Sequence, residues 1–161
     1  MARKNQIEGN VMESGTWYKI PEYKVMLVKD GNVGTGKKTI RSPFDVVETF
    51  RSYLDGADRE HFCIAMLDRK GNLIGLNTVS IGGLHSSVVH PREVFKPAII
   101  LGAASIILAH NHPSGDPTPS PEDITVTKKL VEAGRILSIE VLDHVIIGDA
   151  TYCSMKERGL M

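Results

Sequence analysis

Between Ser42 and Ile147 the spacing of apolar positions changes several times, and each change marks an element. Phe44, Val47, Phe50, Tyr53 and Leu54 share one face of a helix that Ser42 caps, Pro43 opens and Asp45 favours in its first turn. His61–Leu67 and Leu73–Ile81 are apolar runs of strand length, joined by Asp68-Arg69-Lys70-Gly71-Asn72, which predicts a hairpin ended by Gly82-Gly83. After Pro91 a helical pattern runs to Ala103, with Pro97 expected to bend it. Ala103–Ala109 is almost wholly apolar and reads as a buried strand leading into His110. Pro113, Gly115, Pro117 and Pro119 then force a loop, with Ser114 and Gly115 shaping it, and Ser120-Pro121-Glu122-Asp123 opens a second capped helix. Ile124, Leu130 and Val131 give that helix an apolar side, and Gly134 is expected just past its end at Ala133. A final strand is predicted over Ile139–Ile147, and Tyr152–Met161 reads as a short strand or hook with a turn.

Strands and helices alternating in this way indicate one mixed α/β (α+β) domain over residues 42–161, a single sheet covered by helices. Residues 1–41 form an arm. Its first twenty residues lack periodicity, whereas Tyr23–Val28 alternates well enough to predict a strand ending at Lys29-Asp30-Gly31-Asn32.

Composition narrows the partners. Lys+Arg and Asp+Glu balance at 19 each, so no net charge favours nucleic acid or an anionic membrane surface, and direct nucleic-acid binding is not expected. No stretch approaches 18 apolar residues and the amino terminus has no apolar core, so neither secretion nor membrane spanning is indicated, no membrane partner is expected, and the cytoplasm is the expected location. Cys63 and Cys153 are too far apart in sequence for a Cys-x-x-Cys site and read as reduced core thiols. Gly31–Lys38, GNVGTGKK, misses the phosphate-cradling pattern by one residue, since Lys38 stands where a metal-binding hydroxyl belongs. Three residues also separate it from Ser42, so it reads as a basic turn.

The chemistry concentrates in His110–Asp123, HNHPSGDPTPSPED. Alternate strand residues share a face, so His110 and His112 point the same way, and the loop returns Asp123 to them at a helix start. Two histidines and a carboxylate match the three protein ligands of a catalytic zinc, one ion per chain. Zinc lowers the pKa of a bound water to about 7, but a general base must still move the proton. Glu60, immediately before the strand His61–Leu67, has the placement for that base; Glu48 and Glu93 are also upstream and remain alternatives. Ser120 can donate to the oxyanion that develops at an attacked carbonyl, or be occupied as an N-cap. The same Ser-Pro-x-Asp tetrapeptide occurs at Ser42–Asp45 without histidines upstream, so capping alone carries no metal signal. His85, His90 and His144 read as structural, with Asp143-His144 a candidate support for the ligands; Arg92 reads as a surface ion pair rather than a clamp for a substrate carboxylate.

His110-x-His112, seven residues, Ser120, two residues and Asp123, with an upstream glutamate, resemble the JAMM signature of the JAB/MPN metalloproteases. More narrowly, EHFCIAMLD from Glu60, HPREVFKPA from His90, LAHNHPSGDPTPSPED from Leu108 and LDHVII from Leu142 are similar to the RadC family. The resemblance spans about Ser42–Leu160. It implies a sandwich like that of cytidine deaminases, zinc on His110, His112 and Asp123, Glu60 as general base and Ser120 as oxyanion donor. The deaminases' own H-x-E and P-C-x-x-C ligands are absent. Residues 1–41 do not resemble the amino-terminal helix-hairpin-helix region of longer RadC proteins, which weakens a direct DNA role.

Two functions follow as expectations. The first is a zinc-dependent metallopeptidase or isopeptidase in which a zinc-bound water, activated by Glu60, attacks an amide of a peptide or protein. The second is a DNA-repair-associated accessory protein whose zinc is structural.

Overall fold

The computed structural model describes residues 20–36, 38–54, 57–82 and 89–161. Lys37, Gly83 and His85 lie outside them, as do the first nineteen residues. In chain order the elements are α1 (Pro43–Tyr53), β1 (His61–Leu67), β2 (Leu73–Ile81), α2 (Pro91–Leu101), β3 (Ser105–Asn111), α3 (Pro121–Leu137), β4 (Glu140–Ile147) and β5 (Tyr152–Ser154). The five strands form one mixed sheet in the order β2-β1-β3-β4-β5, in which β3 and β4 are parallel and the other neighbours antiparallel.

Helices cover both faces of this sheet, which makes it an α/β fold. Phe62, Ile64 and Met66 of β1 and Ile106 and Leu108 of β3 pack against Val94, Phe95 and Ala98 of α2 and Leu130 of α3. The intervening residues Cys63, Ala65, Leu67, Ile107 and Ala109 face Val46, Val47 and Phe50 of α1. A strand buried on both sides cannot alternate apolar with polar, which explains the unbroken apolar runs of β1 and β3.

The β3–β4 ladder carries an irregularity that aims a residue at the site. Ile106 pairs with Val141, but Leu108 pairs with His144, so two steps on β3 match three on β4. The extra residue is a bulge, and it reverses the facing of everything beyond it. Val141 packs toward α2 and α3, whereas Val145 and Ile147 pack toward α1. His144 is thereby turned to the α3 side. Asp143, buried at the bulge, holds it in place by accepting bonds from the His144 N–H, the Ser154 hydroxyl and the Lys156 N–H.

Two expectations need correction. Tyr23–Val28 is not a strand: Tyr23 and Val28 are both exposed, and alternation without a neighbouring strand to bond, among the described residues, makes no ladder. The arm's pairing falls later, where Leu73 N–H donates to Lys38 O and Ile40 N–H to Gly71 O around the Thr39–Asn72 bridge. α3 does not stop at Ala133. It runs through Gly134 to a left-handed cap at Ser138 (φ 57°), because Gly134 serves packing: a Cβ there would collide with Ile139 O, Val141 and Phe95. α2 continues through Pro97 and ends at Gly102 in the left-handed region (φ 71°).

Candidate metal centre

Three elements meet at one end of the sheet. β3 ends there, α3 starts there, and β1 begins there because it runs antiparallel to β3. His110 sits in the last turn of the pleat of β3, completely buried, and His112 follows on the same face with 18% of its side chain exposed. Their Nε2 atoms are 3.0 Å apart. Asp123 of α3, 1% exposed, presents Oδ1 to His110 Nε2 at 3.2 Å and Oδ2 to His112 Nε2 at 3.6 Å. One ligand atom from each of the three residues lies within 4.8 Å of the others, an arrangement that can hold a metal ion.

The capping box explains how Asp123 is aimed. Ser42 with Asp45 and Ser120 with Asp123 both form the reciprocal box, as their shared tetrapeptide predicts. In α3, Ser120 N–H and the Ser120 hydroxyl both donate to Asp123 Oδ2 at 2.7 Å, and Asp123 N–H donates to Ser120 Oγ at 3.1 Å. That fixes the carboxylate plane and leaves Oδ1 toward His110. Burial raises the Asp123 pKa, but the bonds from His110, His112 and Ser120 outweigh it and hold the carboxyl far below its usual range. The same carboxylate keeps the His112 imidazole above its ordinary pKa, against the opposing effect of burial.

Each ring is oriented from its other nitrogen. His112 Nδ1–H donates to Asp116 O at 2.7 Å. The loop that supplies this carbonyl is closed by His112 N–H to Ile147 O, Gly115 N–H to His112 O and Asp149 N–H to Gly115 O. Gly115 is left-handed (φ 80°) and a Cβ on it would meet Asp149, so the loop needs glycine there. His110 Nδ1 contacts His144 Nε2 at 2.8 Å, and His144 Nδ1 contacts Thr127 Oγ1 at 2.5 Å. Phe62 stacks on His110 and meets His144 edge-on, packing both rings from β1. Burial pushes the His144 pKa well below the ordinary histidine value.

Glu60 lies where β1 enters the site. Phe62 is opposite His110, and Glu60 stands two residues before Phe62, immediately ahead of β1. It is half-buried, and its charge contributes to the raised pKa of His112. Glu48 is exposed on α1, across the sheet from His110. Glu93 is exposed on α2 and paired with Lys96 at 3.0 Å and Arg92 at 3.2 Å. Arg92 is therefore an ion-pair partner, as expected. His90 is the N-cap of α2 and makes no side-chain capping bond.

Sequence reasoning gave no role to Asn111 or Thr127. Asn111 lies between the two histidines, so strand alternation turns it away from them. Thr127 is one helical turn beyond Asp123, a spacing that could have drawn notice.

This geometry defines a candidate mononuclear metal centre at the edge of an α/β/α sandwich. Residues 40–160 match the family model of the RadC-like JAB domain, and the chain belongs to that family. It is 60% identical over 129 residues to a UPF0758 protein of Syntrophomonas wolfei, covering 78% of this chain and 55% of that protein. It is 57% identical over 121 residues to a UPF0758 protein of Caldanaerobacter subterraneus, covering 75% and 52% respectively. A UPF0758 protein of Moorella thermoacetica is 56% identical over 125 residues, covering 78% and 55%. The chain thus spans about half the length of these relatives. Among the described residues, no helix is long and apolar enough to cross a membrane.

Proposed function

We propose that this chain is a zinc-dependent hydrolase of the JAMM type that cuts an amide bond in a peptide or protein substrate in the cytoplasm. The observation that carries the reading is the convergence of His110, His112 and Asp123, with the charge of Glu60 felt at His112. The donor set fits zinc: two imidazole nitrogens and a carboxylate held ionised against burial, all turned to one point. A zinc ion held there supplies a Lewis acid to the substrate carbonyl and lowers the pKa of water.

The protein's own groups do the rest. The Glu60 carboxylate accepts a proton from the attacking water and returns it to the departing amine, the two-way transfer that amide cleavage requires. His112 stands at the open side of the centre, so substrate approaches there, while buried His110 and Asp123 hold the inner side. Ser120 donates to the carbonyl oxygen as it gains charge. In the structure its hydroxyl donates instead to Asp123 Oδ2, so this role requires the O–H to rotate.

Elemental analysis of purified protein should give one zinc per chain, lost in His110→Ala and Asp123→Ala. Glu60→Gln should retain zinc and abolish turnover. Comparing new protein amino termini in cells expressing the wild type and Glu60→Gln should reveal a cleavage that depends on Glu60 and so identify the substrate. Protein that takes up no stoichiometric zinc, or a Glu60→Gln variant with undiminished cleavage, contradicts the proposal.

A further inference from the structure

We infer that the buried chain His110–His144–Thr127 sets which ring nitrogen of His110 carries the proton, and that the Thr127 hydroxyl is the group that decides it. The inference rests on the metal-centre reading above. His110, His144 and Thr127 are each fully buried, so their polar atoms find partners within the protein: His110 Nε2 faces Asp123 and His112, and Thr127 Oγ1 also lies 3.4 Å from Met155 Sδ, a weak acceptor. Three contacts link them: His110 Nδ1 to His144 Nε2 at 2.8 Å, His144 Nδ1 to Thr127 Oγ1 at 2.5 Å, and Thr127 O–H to Asp123 O at 2.6 Å.

A neutral imidazole carries one proton, and a hydroxyl has one to give. The direction of a single bond therefore fixes the others. In one filling Thr127 O–H donates to Asp123 O, His144 Nδ1–H donates to Thr127 Oγ1, and His110 Nδ1–H donates to His144 Nε2. His110 Nε2 is then a bare lone pair. In the opposite filling Thr127 O–H donates to His144 Nδ1, His144 Nε2–H donates to His110 Nδ1, and His110 Nε2–H points toward Asp123 Oδ1, 3.2 Å away. The proton count is the same in both, and only the first leaves His110 able to bind a metal.

His112 has no such ambiguity, because its Nδ1 faces the Asp116 carbonyl, which can only accept. Metal-binding histidines usually bond an acceptor of that kind, a carbonyl or carboxylate. His110 bonds an imidazole, which can either donate or accept, so a third group must choose. Thr127 does so from one helical turn beyond Asp123: its hydroxyl has the Asp123 carbonyl within reach, and bonding it selects the filling that suits the metal. The bulge in β4 is what brings His144 into this position. Thr127 and His144 are positioning residues, since neither reaches the metal.

Two substitutions of opposite character test this. Thr127→Val keeps the shape and removes the hydroxyl; Thr127→Ser keeps the hydroxyl and removes a methyl. Zinc affinity, measured by competition with a chromophoric chelator, should fall about 10–100-fold in Thr127→Val and stay near wild type in Thr127→Ser. A role in packing alone reverses that order. Nitrogen-15 NMR of the zinc-loaded wild type should show His110 and His144 both protonated at Nδ1, a readout that needs neither variant to fold. Native zinc affinity in Thr127→Val, or Nε2–H on His144 in the zinc-loaded protein, overturns the relay while leaving the metal centre standing. A wild type that binds no zinc overturns both.

Discussion

Asn111 holds the backbone on both sides of Glu60. Its Oδ1 accepts from His61 N–H at 2.8 Å and its Nδ2 donates to Arg59 O at 3.0 Å, so one side chain grips the residues before and after the glutamate. Because Asn111 stands between His110 and His112, the segment that carries two of the proposed ligands also sets where the proposed base begins. Asn111→Ala should keep zinc but lower turnover, on the order of a hundredfold if Glu60 shifts by about 1 Å. Hydrogen exchange should show faster loss of protection at the His61 amide, and zinc content should be unchanged.

Zinc should stabilise the fold. Binding to the native state alone adds about 2.7 kcal/mol when free zinc is about 100 times Kd. Thermal unfolding with and without a chelator should show this difference in the wild type. His110→Ala and Asp123→Ala should melt at the same temperature in both conditions.

The two helix-associated glycines should fail differently when changed to alanine. At Gly134 the new methyl group meets the Ile139 carbonyl and the side chains of Val141 and Phe95, so overpacking should cost about 1–3 kcal/mol. At Gly102 nothing lies within 4 Å, and the cost comes only from the left-handed backbone, about 1 kcal/mol. Urea unfolding of both variants separates the two causes, with Gly134→Ala the more damaged.

Burial pushes the Cys63 thiol up from 9.0 to about 11, with a smaller opposing effect from its bond to Thr78. The folded state therefore binds this proton more tightly than the unfolded state. The resulting stability is complete below pH 9 and is lost as pH rises toward 11, on the order of 2–3 kcal/mol. Denaturant titrations at pH 8 and pH 11 should show the loss in the wild type and a smaller one in Cys63→Ala. At pH 8 the native thiol should resist alkylation.

Much of this was legible in the order of residues. The caps at Ser42 and Ser120 open helices where the tetrapeptides stand, and the doubly buried strands β1 and β3 follow their apolar runs. His110, His112 and Asp123 meet because strand parity and a capped helix are local rules. Features that depend on a distant neighbour were not legible. Tyr23–Val28 has the alternation of a strand but no adjoining strand among the described residues, and Gly134 is a contact between α3, β4 and α2 that looks from sequence like a helix stop. The bulge at Asp143 is also invisible in one dimension, so the direct bond of His144 to His110 could not be read.

The double use of Asp123 links the metal to the least durable part of a helix. Terminal turns open and close more readily than interior ones, and the carboxylate that closes the first turn of α3 is the same one that faces His110. Fraying of that turn would then loosen a bound ion in the same event. The lifetime of a bound ion would be governed by the breathing of α3, and an occupied centre would act as the clasp that keeps the helix from unwinding.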